Sequence, residues 1–259
     1  MVLVSEVMLQ QTTVARALPV YTEWLQRWPT PRALAGDSVG EAVRAWGRLG
    51  YPRRARRLWL AARVIVKEFD GRVPSAYEDL VSLPGVGDYT AAAVAAFAFR
   101  QRTVVLDTNV RRVLGRLLAG VQLPPPTTTA SERRVADQSL PDEPETAAVW
   151  SVAVMELGAL VCRVRRPLCE DCPVSHLCRW RAHGYPAYDG PPRRGQSYVG
   201  TDRQCRGRIL ALLRESDGWV RRQAVALVWD EVGQRERALA SLIDDGLVVV
   251  GDEGAVALP

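Results

Sequence analysis

The segment Leu83-Pro84-Gly85-Val86-Gly87 joins two stretches of helical periodicity. Two glycines in a turn that opens a helix let backbone amides approach an anion closely, and the helix dipole favours negative charge at that end. A DNA phosphate suits such a turn, because contacts of this kind position a duplex without reading its sequence. A tight helix–helix turn without a ligand has the same sequence features, so the segment alone leaves both interpretations open.

Helical periodicity dominates the chain on both sides of this turn, as far as about residue 180. The proline- and threonine-rich run at residues 124–129 is predicted to be a loop that divides the helical region. We therefore predict an all-α fold over residues 1–183, with a six-helix lobe over about 1–117 and a second lobe over about 118–183. The clearest apolar repeats are residues 39–46, 58–66 and 91–99.

Beyond the helical region, residues 184–202 are rich in glycine and proline, which is typical of a linker. The remaining residues, 203–259, are predicted to form a small, flexibly joined α+β module of winged-helix type, with three helices followed by a hairpin. The predicted helices are residues 207–214, 221–229 and 235–243, and the predicted strands are 247–250 and 255–258.

The charge balance suits a polyanionic partner. The 259 residues include 34 Lys and Arg against 29 Asp and Glu, a net charge of +5. Charge alone is weak evidence, because many basic proteins bind no nucleic acid. No signal peptide is visible, and no apolar run approaches the ~20 residues of a membrane helix, so we expect a cytoplasmic monomer without a membrane partner.

Four of the five cysteines, Cys162, Cys169, Cys172 and Cys178, follow the pattern C-x6-C-x2-C-x5-C. In a reducing compartment, clustered cysteines serve as metal ligands rather than disulfides. Four-cysteine zinc sites usually show two C-x2-C pairs, so the single pair favours an iron–sulfur cluster, although the spacing leaves zinc open. Cys205 lies outside the set and is predicted to be a free thiol.

Two acidic residues stand in positions that allow either a structural or a chemical role. Asp107 follows an apolar run and precedes the helical pattern of residues 110–118, where it is either a helix N-cap or a functional carboxylate. Glu6 lies among apolar neighbours, where a carboxylic acid can have a raised pKa and donate a proton. The alternative for Glu6 is a solvated helix residue.

Taken together and in order, five segments resemble the adenine DNA glycosylase (MutY) family of the endonuclease III-like, helix-hairpin-helix superfamily. The resemblance covers about residues 1–180. The segments are SEVMLQQT at 5–12, LGY at 49–51 followed by basic residues, LPGVG at 83–87, LDTNVRRV at 106–113, and the cysteine pattern.

This resemblance implies a two-lobed DNA repair enzyme that removes adenine from duplex DNA in which it is mispaired with 8-oxoguanine or guanine. The active site would lie between the lobes, and the four cysteines would hold a [4Fe–4S] cluster. By the same resemblance, Glu6 protonates the flipped adenine and Asp107 stabilises the sugar cation, while Tyr89 and Asn109 orient this chemistry. The residues implied to contact DNA are Leu9, Gln10, Gln11, Thr12, Tyr51, Gly85, Val86 and Gly87.

The sequence also departs from the family pattern. The family has a further helix before the segment that matches residues 5–12, so we expect either a misassigned start or a truncated product. Pro52 follows Tyr51 where the family usually has a second tyrosine. No Nudix-type glycine and glutamate motif is visible after Thr201, which leaves the source of any 8-oxoguanine preference open.

Three alternatives remain beside adenine excision. A thymine or uracil mismatch glycosylase of the same superfamily would share LPGVG and the cysteines. An endonuclease III-like lyase is disfavoured, because position 89 is tyrosine where that branch has a lysine nucleophile. A non-catalytic DNA-binding protein would be the result if a truncated N-terminus had abolished activity.

Overall fold

The computed structural model describes residues 1–191 and 198–259, and most of these residues are helical. Residues 192–197, which belong to the predicted linker, lie outside the described residues. The first helical group contains seven helices: α1 Val2–Leu9, α2 Val14–Arg27, α3 Pro31–Gly36, α4 Val39–Ala45, α5 Arg53–Glu68, α6 Tyr77–Ser82 and α7 Asp88–Phe99.

Helix α7 is the centre of this first group. Every residue from Thr90 to Ala96 is buried, and five of these seven are alanine, so neighbouring helices approach it from all sides. Helix α1 packs on α7 and also contacts α2 and α5. Three tryptophans, Trp24, Trp28 and Trp46, fill the space beside them with edge-to-face ring contacts. This packing fixes α1 against α7, which places Glu6 near Tyr89.

The second helical group begins at α8. Its members are α8 Thr108–Leu114 with a π-helical turn at Gly115–Ala119, α9 Ala130–Ser139, α10 Pro144–Glu156 with a π-helical turn at Leu157–Val161, and α11 Arg179–Ala182. Val110 and Leu114 of α8 form a small core with Ala136 of α9. Helix α8 therefore packs with this group, although the sequence division at about residue 117 placed it in the first lobe.

The continuous helical segment Pro144–Val161 is long and apolar enough to cross a membrane by length and composition alone. This differs from the expectation that no such run occurs. The segment packs against α8 and α7, and 22% of it is buried. It is a helix of the second group with one packed face, and a single apolar helix of this length is weak evidence of a membrane span.

The C-terminal segment contains the three helices and the hairpin that its sequence predicted. They are α12 Asp202–Glu215, α13 Arg222–Ala226, α14 Val232–Asp244, β1 Val249–Val250 and β2 Val256–Ala257. The strands pair antiparallel, with Val250 opposite Val256, and Val220 bridges to Val256 on the other side. Helix α13 is shorter than the predicted residues 221–229, because the regular helix ends at Ala226.

This C-terminal segment is docked on the first helical group, in contrast to the flexibly joined module that the sequence predicted. Val43 and Leu58 belong to the same continuous hydrophobic core as Ile209 and Leu239. Arg44 donates hydrogen bonds to the carbonyl oxygens of Arg214 and Ser216, and Arg214 Nε donates to the carbonyl of Val43 at 3.0 Å. Such a shared core was not visible in the sequence, because each helix shows its own apolar stripe but not its partner.

Candidate active site

The carboxyl group of Glu6 is buried on the face of α1 that meets α7. The residue is 9% exposed, and the Tyr89 hydroxyl donates a hydrogen bond to Glu6 Oε2 at 2.9 Å. Burial raises the pKa of Glu6, the hydrogen bond from Tyr89 lowers it, and the negative charge of Asp107 raises it further, with a net upward shift. The site therefore favours a carboxylic acid that can hold a proton.

Tyr89 is the second residue of α7, so the hairpin turn directly before it determines its position. Burial and the adjacent Glu6 raise the pKa of Tyr89 above that of an ordinary phenol. The hydroxyl consequently stays protonated and acts as a hydrogen-bond donor. An uncharged phenol at this position holds the carboxyl group of Glu6 in place without supplying an amine or an anion.

Asp107 is the N-cap of α8, as its sequence position allowed. Its Oδ1 accepts a hydrogen bond from the backbone amide of Val110 at 2.6 Å, and its Oδ2 accepts one from Asn109 Nδ2 at 2.8 Å. Both oxygens are thus held by neutral donors that fix the carboxylate. The capping role leaves Asp107 near Glu6, since the charge of Asp107 raises the pKa of Glu6.

Arg112 and Gly158 belong to this site, although the sequence analysis assigned them no role. Arg112 is buried and donates hydrogen bonds to Asn109 Oδ1 at 2.8 Å, to the carbonyl of Gly158 at 2.6 Å and to the carbonyl of Cys162 at 2.7 Å. A Cβ on Gly158 would lie 2.7 Å from the Cβ of Asn109, so only glycine allows this approach. Arg112 therefore connects the Asp107–Asn109 pair to the first cysteine.

The end of α1 and the residues after it differ in how far their side chains are exposed. Leu9 is 36% exposed, and Gln11 is exposed with a left-handed backbone (φ +53°). Gln10 turns inward, where its Nε2 donates to Thr90 Oγ1 at 3.2 Å, and the Thr12 hydroxyl donates to the Gln10 carbonyl at 3.3 Å. The partly buried amide of Gln10 thus anchors a segment whose neighbours Leu9 and Gln11 are exposed.

Two loops accompany this segment. Tyr51 is 47% exposed and has a left-handed backbone. In the hairpin, Gly85 has φ +83°, and an added Cβ would meet the Arg57 side chain at 2.7 Å, so glycine is required there. The side chain of Val86 is buried and its amide donates to Leu83, while no side chain caps α7 at Gly87. The uncapped amides at the start of α7 are therefore the ones available to an anion.

The four cysteines of the predicted cluster line one cavity in the second helical group, together with Arg116 and Trp180. Burial raises the pKa of Cys172, and the other three thiols raise it further, which indicates that all four are near one another. Arg116 donates to Cys162 Sγ at 3.4 Å and stacks on the Trp180 ring. Among residues 1–191 and 198–259, no group of three or more His, Cys, Asp or Glu is arranged to hold a single metal ion.

The structure separates the sequence-predicted residues into distinct regions. Glu6, Tyr89, Asp107 and Asn109 form one hydrogen-bonded and electrostatically coupled centre. The cysteine cavity is a second site, joined to the first through Arg112. Cys205 lies in neither, because it is fully buried in α12.

Comparison with known proteins agrees with this arrangement. Residues 4–136 match the HhH-GPD superfamily base excision DNA repair protein family. The adenine DNA glycosylase of Mycobacterium tuberculosis (strain CDC 1551 / Oshkosh) is 51% identical over all 259 residues, which cover 84% of that protein.

Two solved structures share the fold at 25% sequence identity. One is a thermostable thymine-DNA glycosylase, with a TM-score of 0.60 over 70% of this chain and 83% of that chain. The other is a non-covalent endonuclease III–DNA complex, with a TM-score of 0.61 over 71% of this chain and 84% of that chain. The chain therefore belongs to the HhH-GPD superfamily of base excision DNA repair proteins and, within it, to the adenine DNA glycosylase family.

Proposed function

We propose that this DNA glycosylase hydrolyses the N-glycosidic bond of adenine mispaired with 8-oxoguanine or guanine in duplex DNA. The observation that carries the proposal is the buried carboxyl group of Glu6, which is held by Tyr89 and lies within the electrostatic influence of Asp107. Two neighbouring carboxyl groups, one of which donates a proton, are the general pattern of sites that cleave glycosidic bonds.

The chemistry follows from these two groups. Adenine is a poor leaving group as an anion, so a proton from Glu6 to a ring nitrogen lowers the barrier to cleavage of the bond to the sugar. The sugar then develops positive charge, which the carboxylate of Asp107 stabilises. Asp107 is suited to this because both of its oxygens accept hydrogen bonds from neutral donors, which hold it in place.

The target base must first leave the helical stack. The exposed Leu9, Gln11 and Tyr51, with the partly exposed Thr12, would probe or wedge the duplex around the mispair, with the partly buried Gln10 as their anchor. The uncapped amides that follow Gly85, Val86 and Gly87 would hold a phosphate, aided by the dipole of α7. One solved relative is a non-covalent endonuclease III–DNA complex, which supports binding of DNA.

A thymine mismatch glycosylase is the second candidate, because one of the two solved relatives has that activity. An excision assay on duplexes that carry A opposite 8-oxoguanine, A opposite G and T opposite G separates the candidates. We expect release of adenine from the first two duplexes and no release of thymine. Release of thymine alone would contradict the proposal, and binding without release of any base would identify a non-catalytic DNA-binding protein.

We also propose that Cys162, Cys169, Cys172 and Cys178 hold a [4Fe–4S] cluster. Four thiols that line one cavity provide the ligand number and type that such a cluster requires. The cluster would supply a cross-link that fixes the fold of this lobe. The guanidinium of Arg116, at hydrogen-bond distance from Cys162 Sγ, would then offset part of the negative charge of the thiolates.

Purified protein is expected to be brown and to contain about four iron atoms per chain. The measurement is iron and zinc content by elemental analysis after anaerobic preparation. A Cys205→Ser variant is the matched control, because Cys205 lies outside the cavity, and its iron content should equal that of the parent. Stoichiometric zinc without iron would contradict the proposal.

The enzyme is expected to be monofunctional, so that its product is an intact strand with an abasic site. Tyr89 stands where a lyase would need an amine, and its raised pKa keeps it a neutral phenol. The measurement is strand cleavage before and after alkali treatment, together with borohydride trapping. An appreciable yield of covalent protein–DNA adduct would show that another amine forms a Schiff base.

The rate of excision is expected to fall as pH rises through the raised pKa of Glu6, because only the protonated carboxyl group can donate. The hydrogen bond from Tyr89 lowers that pKa, so Tyr89→Phe should raise it and move the decline to higher pH. Single-turnover rates across a pH series, for the parent and this variant, measure the shift. A shift to lower pH would mean that another group supplies the proton.

Finally, we propose that residues 203–259 form a winged-helix-like module. Three helices followed by a two-stranded antiparallel hairpin support this assignment. Several arginines of the module are paired with carboxylates, namely Arg206 with Asp245 and Arg222 with Glu236. This pairing reduces the positive charge that the module can offer to DNA phosphates.

A further inference from the structure

Arg54 of α5 is a buried cation with no carboxylate partner among the described residues. The residue is 8% exposed, and its Nε has no hydrogen-bond partner. Burial lowers the pKa of Arg54, which reflects the cost of keeping this charge away from water. A buried arginine that is not offset by a carboxylate needs some other source of stabilisation.

That stabilisation comes from the end of α1, the helix that carries Glu6. Arg54 Nη1 donates to the carbonyl oxygen of Val7 at 3.1 Å and to that of Gln10. The last carbonyls of a helix lack partners within it and carry the negative end of the helix dipole. Helix α1 has no basic residue in its own last turn, so Arg54 supplies the missing cation from α5.

The same guanidinium also holds the loop that precedes α5. Arg54 Nη2 donates to the carbonyl of Gly50 at 3.4 Å, and the guanidinium carbon lies 4.9 Å from the ring centroid of Tyr51 and 5.7 Å from that of Trp46. Tyr51 has a positive φ, which residues with a side chain rarely adopt, so this loop has a conformation that needs external support. One side chain thus ties the end of α1 to the loop that presents Tyr51.

We propose that Arg54 is a positioning residue that fixes Gln11 and Tyr51 relative to Glu6, and so couples recognition of the mispair to proton transfer. This inference rests on the proposed function, in which Gln11 and Tyr51 contact the mispair and Glu6 donates the proton. Lysine cannot replace arginine in this role, because an ammonium group lacks the planar fork that bonds several carbonyls while it stacks on a ring.

The test compares Arg54→Lys and Arg54→Met with Arg63→Met. Arg63 is an exposed arginine of the same helix whose guanidinium lies over the Trp59 ring. Single-turnover rates are measured at saturating enzyme on duplexes with A opposite 8-oxoguanine and A opposite G, and are corrected for the folded, active fraction.

For Arg54→Met we expect a rate loss on the order of 10²-fold on the 8-oxoguanine duplex, because small displacements of positioned groups have effects of this size. The loss on the guanine duplex should be smaller, so that the preference for 8-oxoguanine falls. Arg54→Lys should have an excision rate and an 8-oxoguanine preference between those of Arg54→Met and the parent. Arg63→Met should match the parent in both. Equal losses on both duplexes, or a folded Arg54→Met with the parent rate, would overturn the proposal.

A double-mutant cycle covers the case in which Arg54→Met does not fold. If Arg54 acts through Tyr51, Arg54→Lys should lower the rate much less in a Tyr51→Ala background than in the parent, whereas independent effects would multiply and overturn the proposal.

A readout without catalysis separates this inference from the proposed function. Amide hydrogen exchange of residues 8–12 and 47–52 should rise together in Arg54→Lys but not in Arg63→Met. If the parent excises no adenine, the proposed function fails. A rise of amide exchange in both segments of Arg54→Lys would still support Arg54 as the link between them. If only one segment responds, Arg54 does not link them.

Discussion

Replacement of Glu6 by glutamine is expected to lower the rate of adenine excision by about 10²–10⁴-fold, the usual effect of losing a general acid. Glutamine preserves the size of the side chain and can still accept the hydrogen bond that Tyr89 donates to Glu6 Oε2. It cannot deliver a proton to adenine. Single-turnover excision on a duplex with A opposite 8-oxoguanine measures the loss.

Binding of the same duplex by Glu6→Gln is expected to stay within several-fold of the parent, because the substitution leaves the proposed phosphate site at the start of α7 unchanged. Glu23→Gln is a suitable control, since Glu23 is an exposed residue of α2 and should retain full activity. Near-parental excision by Glu6→Gln would show that another group donates the proton. Loss of binding and excision together would instead indicate that the substitution disturbs the fold around α1.

The parts of this site that depend only on a short stretch of sequence could be predicted. The hairpin before α7 requires glycine at position 85, and the N-cap of α8 requires a short polar side chain at position 107, so both are visible in a short window. The cysteine spacing is likewise a local pattern. The roles of Glu6 and Asp107 came from the resemblance to a family, since each residue alone allowed a structural interpretation.

The contacts that Arg112 and Arg54 make with segments distant in the sequence were not predicted. Arg112 bonds residues 46 and 50 positions away, and Arg54 bonds residues 44 and 47 positions away. Arginine is common on helix surfaces in this basic chain, and a pattern of single residues does not show which guanidinium is buried. The partners are backbone carbonyls, which are present at every position and therefore leave no signal in the sequence.

The position of the C-terminal segment illustrates the same limit. A stretch rich in glycine and proline predicted a flexible joint, yet α12 and α14 share a core with α4 and α5. Arg53 adds an ion pair to Asp245 at 3.3 Å, and burial lowers the pKa of Arg214 to about 10 at the contact with Val43. Amphipathic periodicity shows that a face is buried, but it does not identify the surface that covers it.

Removal of residues 202–259 is therefore expected to destabilise the rest of the protein severely, in contrast to the loss of DNA affinity alone that a flexibly joined module would cause. The deletion would expose the apolar faces of α4 and α5 that now lie in the shared core. It would also leave the guanidinium of Arg44 without the two carbonyls that it bonds. Domains are stable by only about 5–15 kcal/mol, so losing a large part of one core is enough to unfold them.

The measurement is thermal unfolding and solubility of residues 1–201 beside the full chain, with Arg44→Ala in the full chain as a graded intermediate. Arg44→Ala removes two hydrogen bonds to carbonyls, worth about 1–3 kcal/mol together, and should lower the melting temperature by a few degrees. The truncated chain should aggregate or melt at a much lower temperature, whereas the full chain should unfold in one cooperative transition. A truncated chain that melts within about 2 °C of the full chain would show that the two parts fold independently, because one shared core cannot lose so many of its buried side chains at so small a cost.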